Sequence, residues 1–172
     1  MRYTRFIHAG LLLLLIVLDF MVQTIFNLGG FFELMFVSQL HFMALLMMTK
    51  EDSRADIIAK VVLVCFFMDL LHYQSFPIFY ISYGISAIVI RIWYRHIGDT
   101  YLELSLLMAL GLFIKEFAMY IVLYFLKDQN VLISDFLVNR AVWVVLGNLC
   151  LLPIAASLFR SANKMIDKIT YR

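Results

Sequence analysis

Ile7-His-Ala-Gly-Leu-Leu-Leu-Leu-Leu-Ile-Val-Leu-Asp-Phe-Met-Val-Gln-Thr-Ile-Phe26 is the stretch that decides the fold class. A helix crossing the hydrocarbon core of a bilayer needs about 20 mostly apolar residues, and this run supplies them with one carboxylate, Asp19, inside. Arg2 and Arg5 precede it, as basic residues precede a secretory leader. The apolar run nevertheless continues past Leu18 through Phe20, Met21, Val22, Ile25 and Phe26, and no small-x-small cleavage site follows. It therefore reads as a retained first helix.

Working outward, comparable runs recur along the chain over 31–48, 57–73, 77–94, 101–126 and 136–159. The second and third are short for a span, and the fifth is long enough to tilt or project. Asn27-Leu-Gly-Gly30, Thr49-Lys-Glu-Asp-Ser-Arg54, Gln74-Ser-Phe-Pro77, His96-Ile-Gly-Asp99 and Lys127-Asp-Gln-Asn130 separate them as turns and polar corners. The expected fold class is thus an all-α integral membrane protein, one six-transmembrane-helix bundle over residues 1–172. Composition agrees: 64% of the 172 residues are apolar and 15% charged, too little polar surface for a soluble domain of this size.

The bases set the expected orientation. With the N-terminus inside, inner segments hold Arg2, Arg5, Lys50, Arg54, Lys60, Arg91, Arg95, Arg160, Lys164, Lys168 and Arg172, which is 11 of the 14 Lys and Arg. The outer connections hold only Lys127. This asymmetry predicts both termini in the cytoplasm. The dispersed bases and a net charge of +2 argue against nucleic acid as a partner. Cys65 and Cys150 fall inside apolar runs and read as buried thiols, without the paired spacing of a redox relay.

Ionisable groups inside a membrane helix are costly and need an account. Asp19, Asp69, Lys115, Glu116 and Arg140 are five such groups. At 1.5 Å per residue, Asp19 and Asp69 lie about 18 Å from the inner ends of the first and third helices, and Lys115 and Glu116 about 21–23 Å along the fifth. Arg140 lies about 28 Å from the inner end of the last. This predicts one intramembrane polar cluster, read either as a site for a ligand, proton or partner helix or as an internal ion-pair cluster that fixes packing. Asn148 and Gln23 are able to join it by hydrogen bonds, whereas His41, His72, Glu33 and Glu103 are read as interfacial. In the tail, Arg160, Lys164, Lys168 and Arg172 recur every four residues opposite an apolar face. That pattern predicts either a basic helix lying against anionic membrane lipid or a plain topology signal. No metal-spaced ligand set, cofactor motif or catalytic signature is present, so neither an enzyme nor a cofactor is expected.

Several of these segments together resemble a known family. Phe66-Phe-Met-Asp-Leu-Leu71 places an acid late in a helix, followed after a short turn by the small-residue-bearing Phe79-Tyr-Ile-Ser-Tyr-Gly-Ile-Ser-Ala87. Lys115-Glu-Phe-Ala-Met-Tyr120 carries an acid in a later helix, and Leu18-Asp-Phe-Met-Val-Gln23 one in the first. With the length and layout, this resembles the rod shape-determining protein MreD family, in its Gram-positive form. The resemblance implies a fold similar to the substrate-binding (S) component of energy-coupling-factor vitamin transporters, and Asp69 and Glu116 as the family's intramembrane acids. It also implies a non-enzymatic scaffold of the peptidoglycan elongation machinery, associated with MreC and through it with the MreB filament and peptidoglycan synthases, with no small-molecule substrate. The alternative is a vitamin transporter's S subunit. Those proteins dock through an Ala-x-x-x-Ala pair in the first helix, where this chain has Ala9 alone.

Overall fold

The structure, a computed structural model, describes residues 2–28, 37–72, 76–94, 100–127 and 132–170. Helices are α1 (Arg2–Leu28), α2 (Leu40–Met48), α3 (Arg54–Leu71), α4 (Ile78–Tyr94), α5 (Tyr101–Lys127), α6 (Ile133–Phe136) and α7 (Val142–Thr170). A π-helical turn, Leu137–Ala141, joins the last two. No strand occurs among the described residues.

Among the described residues, three helical segments are long and apolar enough to cross a membrane: Tyr3–Phe26, Tyr101–Leu126 and Ile133–Ile169. Ile78–Tyr94 is apolar but shorter. Their outward faces carry large hydrophobic side chains such as Val17, 57% exposed, and Phe125, 79% exposed. Many exposed apolar side chains of this kind suit a lipid environment.

The helix starts are explained locally. Ser53 caps α3, its Oγ accepting the Asp56 amide at 3.2 Å. At α5, Thr100 Oγ1 accepts the Glu103 amide at 3.4 Å while the Glu103 carboxylate accepts the Thr100 amide at 3.1 Å. That reciprocal pairing is a capping box, which gives Glu103 a structural task. A cis peptide bond joins Phe76 to Pro77 ahead of α4.

The second helix departs from the expectation of 31–48. Residues 31–36 lie outside the described residues, residues 37–39 are not helical, and α2 starts only at Leu40. With nine residues it is about 14 Å long, less than half the hydrocarbon thickness. All nine of its side chains are buried, enclosed by α1, α4, α5 and α7 with α3 alongside. Phe42, Met43, Leu45, Leu46 and Met48 of α2 form the middle of the core, packed against Leu12 and Leu15 of α1 and Leu107, Met108 and Leu112 of α5. Gly111 lets α5 approach this plug, since a Cβ there would meet Ile90 Cγ1 at 3.1 Å and run into Leu46 Cδ1.

Two further expectations are corrected. Cys65 is buried, but Cys150 is exposed. It lies on an outward stripe of α7 with Val142, Trp143, Leu146 and Ile154, spaced at three to four residues, so helical phase overrides its apolar surroundings. The basic tail is not a separate element: α7 runs on unbroken through Arg160, Lys164 and Lys168, all exposed, to Thr170. Its 29 residues extend about 43 Å, beyond the reach of a hydrocarbon core. Arg172 and the side chain of Arg2 lie outside the described residues.

Candidate functional site

The site is built around the irregular segment that leads into α2. Four N-terminal amides of any helix lack partners within the helix, and an acid near them is favoured by the helix dipole. Here the acid comes from another helix. Asp19 of α1 accepts the Leu40 amide at 2.8 Å and the His41 amide at 3.0 Å. It also accepts the Ser38 hydroxyl at 2.5 Å and sits 2.5 Å from His41 Nδ1. One residue earlier, Asn148 of α7 accepts the Gln39 amide at 2.7 Å and donates to the Val37 carbonyl at 2.8 Å. Gln23 accepts the Ser38 amide at 3.3 Å. Irregular backbone inside an apolar bundle is tolerated only when its polar groups are met in this way.

Gln39 links this cap to a second charged group. Its Nε2 donates to Glu116 Oε1 at 2.8 Å, which Lys115 Nζ also reaches at 2.7 Å. Arg140 Nε reaches the other Glu116 oxygen at 2.9 Å. Glu116 is wholly buried and Lys115 nearly so, whereas the Arg140 side chain is 30% exposed. Arg140 sits on the π-helical turn, closed by the Val142 amide on the Leu137 carbonyl. Such a turn is wider than an α turn and frequently marks a functional position. The Lys115 ammonium also lies 5.7 Å from the Phe42 ring centre and 5.5 Å from that of Tyr83, within cation–π range.

From Asp19 a polar chain continues inward. His41 Nδ1 meets Asp19, and its Nε2 lies 2.7 Å from the Tyr83 hydroxyl. Tyr83 is fully buried and stacks on the His41 ring at 5.8 Å. A crevice of about 70 Å³, lined in part by Asp19, Gln23, Ser38, His41 and His72, lies beside the Asp19–His41 pair.

Of the five intramembrane charges read from the sequence, the structure therefore brings together Lys115, Glu116 and Arg140, with Asp19 joined to them through residues 38–41. Asp69 makes none of these contacts. It is half-buried on α3, close enough to Cys65 and Tyr80 to act on them electrostatically. Within the cluster both bases converge on Glu116, and Asp19 meets His41. His41 was read as interfacial, yet it is buried and central. Ser38, Gln39 and Tyr83 were not singled out from sequence. The available signal was Ser38-Gln39-Leu40-His41, three polar residues in four inside an otherwise apolar run.

A second polar group ties α1 to α3 and to the extension of α7. Lys60, counted among the inner-segment bases, is buried on α3, ion-paired with Asp52 and 2.8 Å from His8 Nδ1. His8 Nε2 lies 3.2 Å from Asn163 Oδ1. Nearby, the exposed Arg5 pairs with Asp56 at 2.7 Å. The Asp56 carboxyl is held below its ordinary pKa, first by the Ser53 hydroxyl and further by Arg5.

Comparison with protein-family models, curated proteins and solved structures returns no match.

Proposed function

We propose that this chain is a non-enzymatic scaffold of the bacterial cell-wall elongation machinery, of the MreD kind. In this reading it is multi-pass in the cell membrane, with six spans, an architecture like a transporter S component and both termini in the cytoplasm. It controls cell shape by holding a single-span MreC-like partner and, through it, the MreB filament and peptidoglycan synthases. The observation that supports this reading best is how the buried charges are used. Glu116 takes three donors from three elements, and Asp19 takes the start of α2. Charges so engaged fix how helices pack, which is the requirement on a scaffold, and compete with any ligand for the same lone pairs. The basic residues Arg5, Lys50, Arg54 and Lys60 gather at one end of the bundle, in keeping with that end facing the cytoplasm.

The test has two arms. Depleting the protein from rod-shaped or ovoid cells should round them, and in-membrane crosslinking should recover a bitopic coiled-coil partner. Failure to recover any partner refutes the scaffold. Co-purification of a vitamin at near-stoichiometric level refutes it in favour of a transporter S subunit.

A further inference from the structure

Where α3 begins and α4 ends, a groove of about 460 Å³ opens between the two helices. Its volume is in the range of sites that hold small ligands. Ile58, Ile88 and Ile92 line it and are 64%, 63% and 56% exposed, so its wall is apolar and faces outward. Arg54 and Arg91 are its two charged residues. Two acids near the start of α3 are engaged elsewhere: Asp56 with Arg5, and Asp52 with Lys60. Among the described residues, neither Arg54 nor Arg91 has an ion-pair partner, and Arg91 Nη1 is buried with no hydrogen-bond acceptor at all.

A buried guanidinium N–H without an acceptor is costly, so a position that keeps one calls for an acceptor from outside the chain. Guanidinium groups match the oxygens of a phosphate, two N–H donors to two oxygens. Depth points the same way. Arg91 lies in the last turn of α4, two residues before the half-exposed Trp93, and such aromatic residues sit at the level of lipid headgroups. We propose that this groove binds one anionic phospholipid. The phosphate sits between Arg54 and Arg91, and an acyl chain lies along Ile58, Ile88 and Ile92. The lipid completes the hydrogen bonding of Arg91 and seals α3 to α4. This site is separate from the cluster around Glu116 and does not depend on the scaffold reading.

Native mass spectrometry of the purified full-length chain in detergent, titrated with phosphatidylglycerol and with phosphatidylcholine of the same acyl chains, tests this. One phosphatidylglycerol should be retained in preference to phosphatidylcholine. Arg54→Gln and Arg91→Gln should each weaken retention about five-fold, from the worth of one arginine near an anionic headgroup. Arg91→Lys, which keeps a point charge, should fall between. Arg160→Gln with Lys164→Gln, on the exposed tail, should leave retention unchanged, and monodisperse elution certifies each variant as folded. Equal retention of the two lipids, or wild-type retention by folded Arg91→Gln, overturns the site. Loss of retention in the tail variant alone also overturns it. Displacement of the lipid by equimolar inorganic phosphate would mark a simple anion site and overturn the lipid assignment.

Discussion

Replacing Glu116 by Gln tests whether the buried cluster holds the bundle together. Glu116 Oε1 takes Lys115 and Gln39, and Oε2 takes Arg140. A glutamine keeps the shape but must turn its NH2 group toward one of these donors. The Arg140 side is the cheaper choice, because that side chain is 30% exposed and is able to swing outward. Lys115, 4% exposed, has no such escape and becomes an uncompensated buried cation. Removing one partner of a buried ion pair costs about 3–5 kcal/mol, and the retained carbonyl acceptor puts this case near about 3. At about 2–4 °C per kcal/mol for a chain of this size, Tm should fall by about 6–12 °C. Unfolding in detergent is readable with a thiol-reactive dye at Cys65, which is buried, in a Cys150→Ser background because Cys150 is exposed. Adding Lys115→Met should recover at least half of the loss, since the stranded charge leaves with the side chain. A Tm for Glu116→Gln within about 2 °C of the parent would refute the argument, as would a double variant no more stable than the single.

Three further outcomes follow from other parts of the fold. Asp19→Ala strands the Leu40 and His41 amides and should cost at least about 2 kcal/mol, with Asp19→Asn milder; unchanged hydrogen exchange at those amides would contradict the cap. Gly111→Ala drives a methyl against Leu46 and Ile90 and should destabilise by about 1–3 kcal/mol, whereas Gly84→Ala, with open space around it, should stabilise by about 0.5–1 kcal/mol. Thermal stability of both variants reads the contrast. For Asp56, whose pKa is lowered from 3.8, the unfolded chain takes up the proton first as pH falls. Its contribution is complete above that ordinary value and is lost as pH drops through the lower, folded one. Asp56→Asn should therefore flatten the wild-type loss of Tm as pH falls below about 4, and identical curves would remove the group from the account.

The long apolar helices were legible from sequence because an apolar run of about 20 residues or more leaves few alternatives to helix. The runs read over 7–26 and 101–126 coincide with the cores of α1 and α5. The last run, 136–159, falls inside a longer helical stretch that begins with α6, crosses the π-helical turn and ends at Thr170. Hydropathy could not place that end. The basic tail is polar on average, yet Ala162 still packs inward and keeps the helix in phase. Cys150 was misread for the opposite reason: an average over a window says nothing about which side of the helix a residue faces.

The middle of the site was illegible for a deeper reason. Residues 31–48 read as one helix because apolar side chains dominate the run, but whether backbone continues as helix depends on what else its amides are offered. Asp19, Gln23 and Asn148, each remote in sequence, together offer the amides of residues 38–41 acceptors as good as an intrahelical carbonyl. The chain therefore breaks where three other side chains converge, and no window of local sequence contains them. Counting charges singles out Asp19 and Glu116 as groups needing an account and looks for their partners among bases, which Glu116 has in Lys115 and Arg140. For Asp19 the partners are backbone amides and the side chains of His41 and Ser38, which a count of charges does not recognise, and an amide left bare in an apolar bundle costs several kcal/mol. Asp19 is thus explained less by a cation it neutralises than by the short helix whose start it holds, whereas Glu116 is explained by the two bases that converge on it.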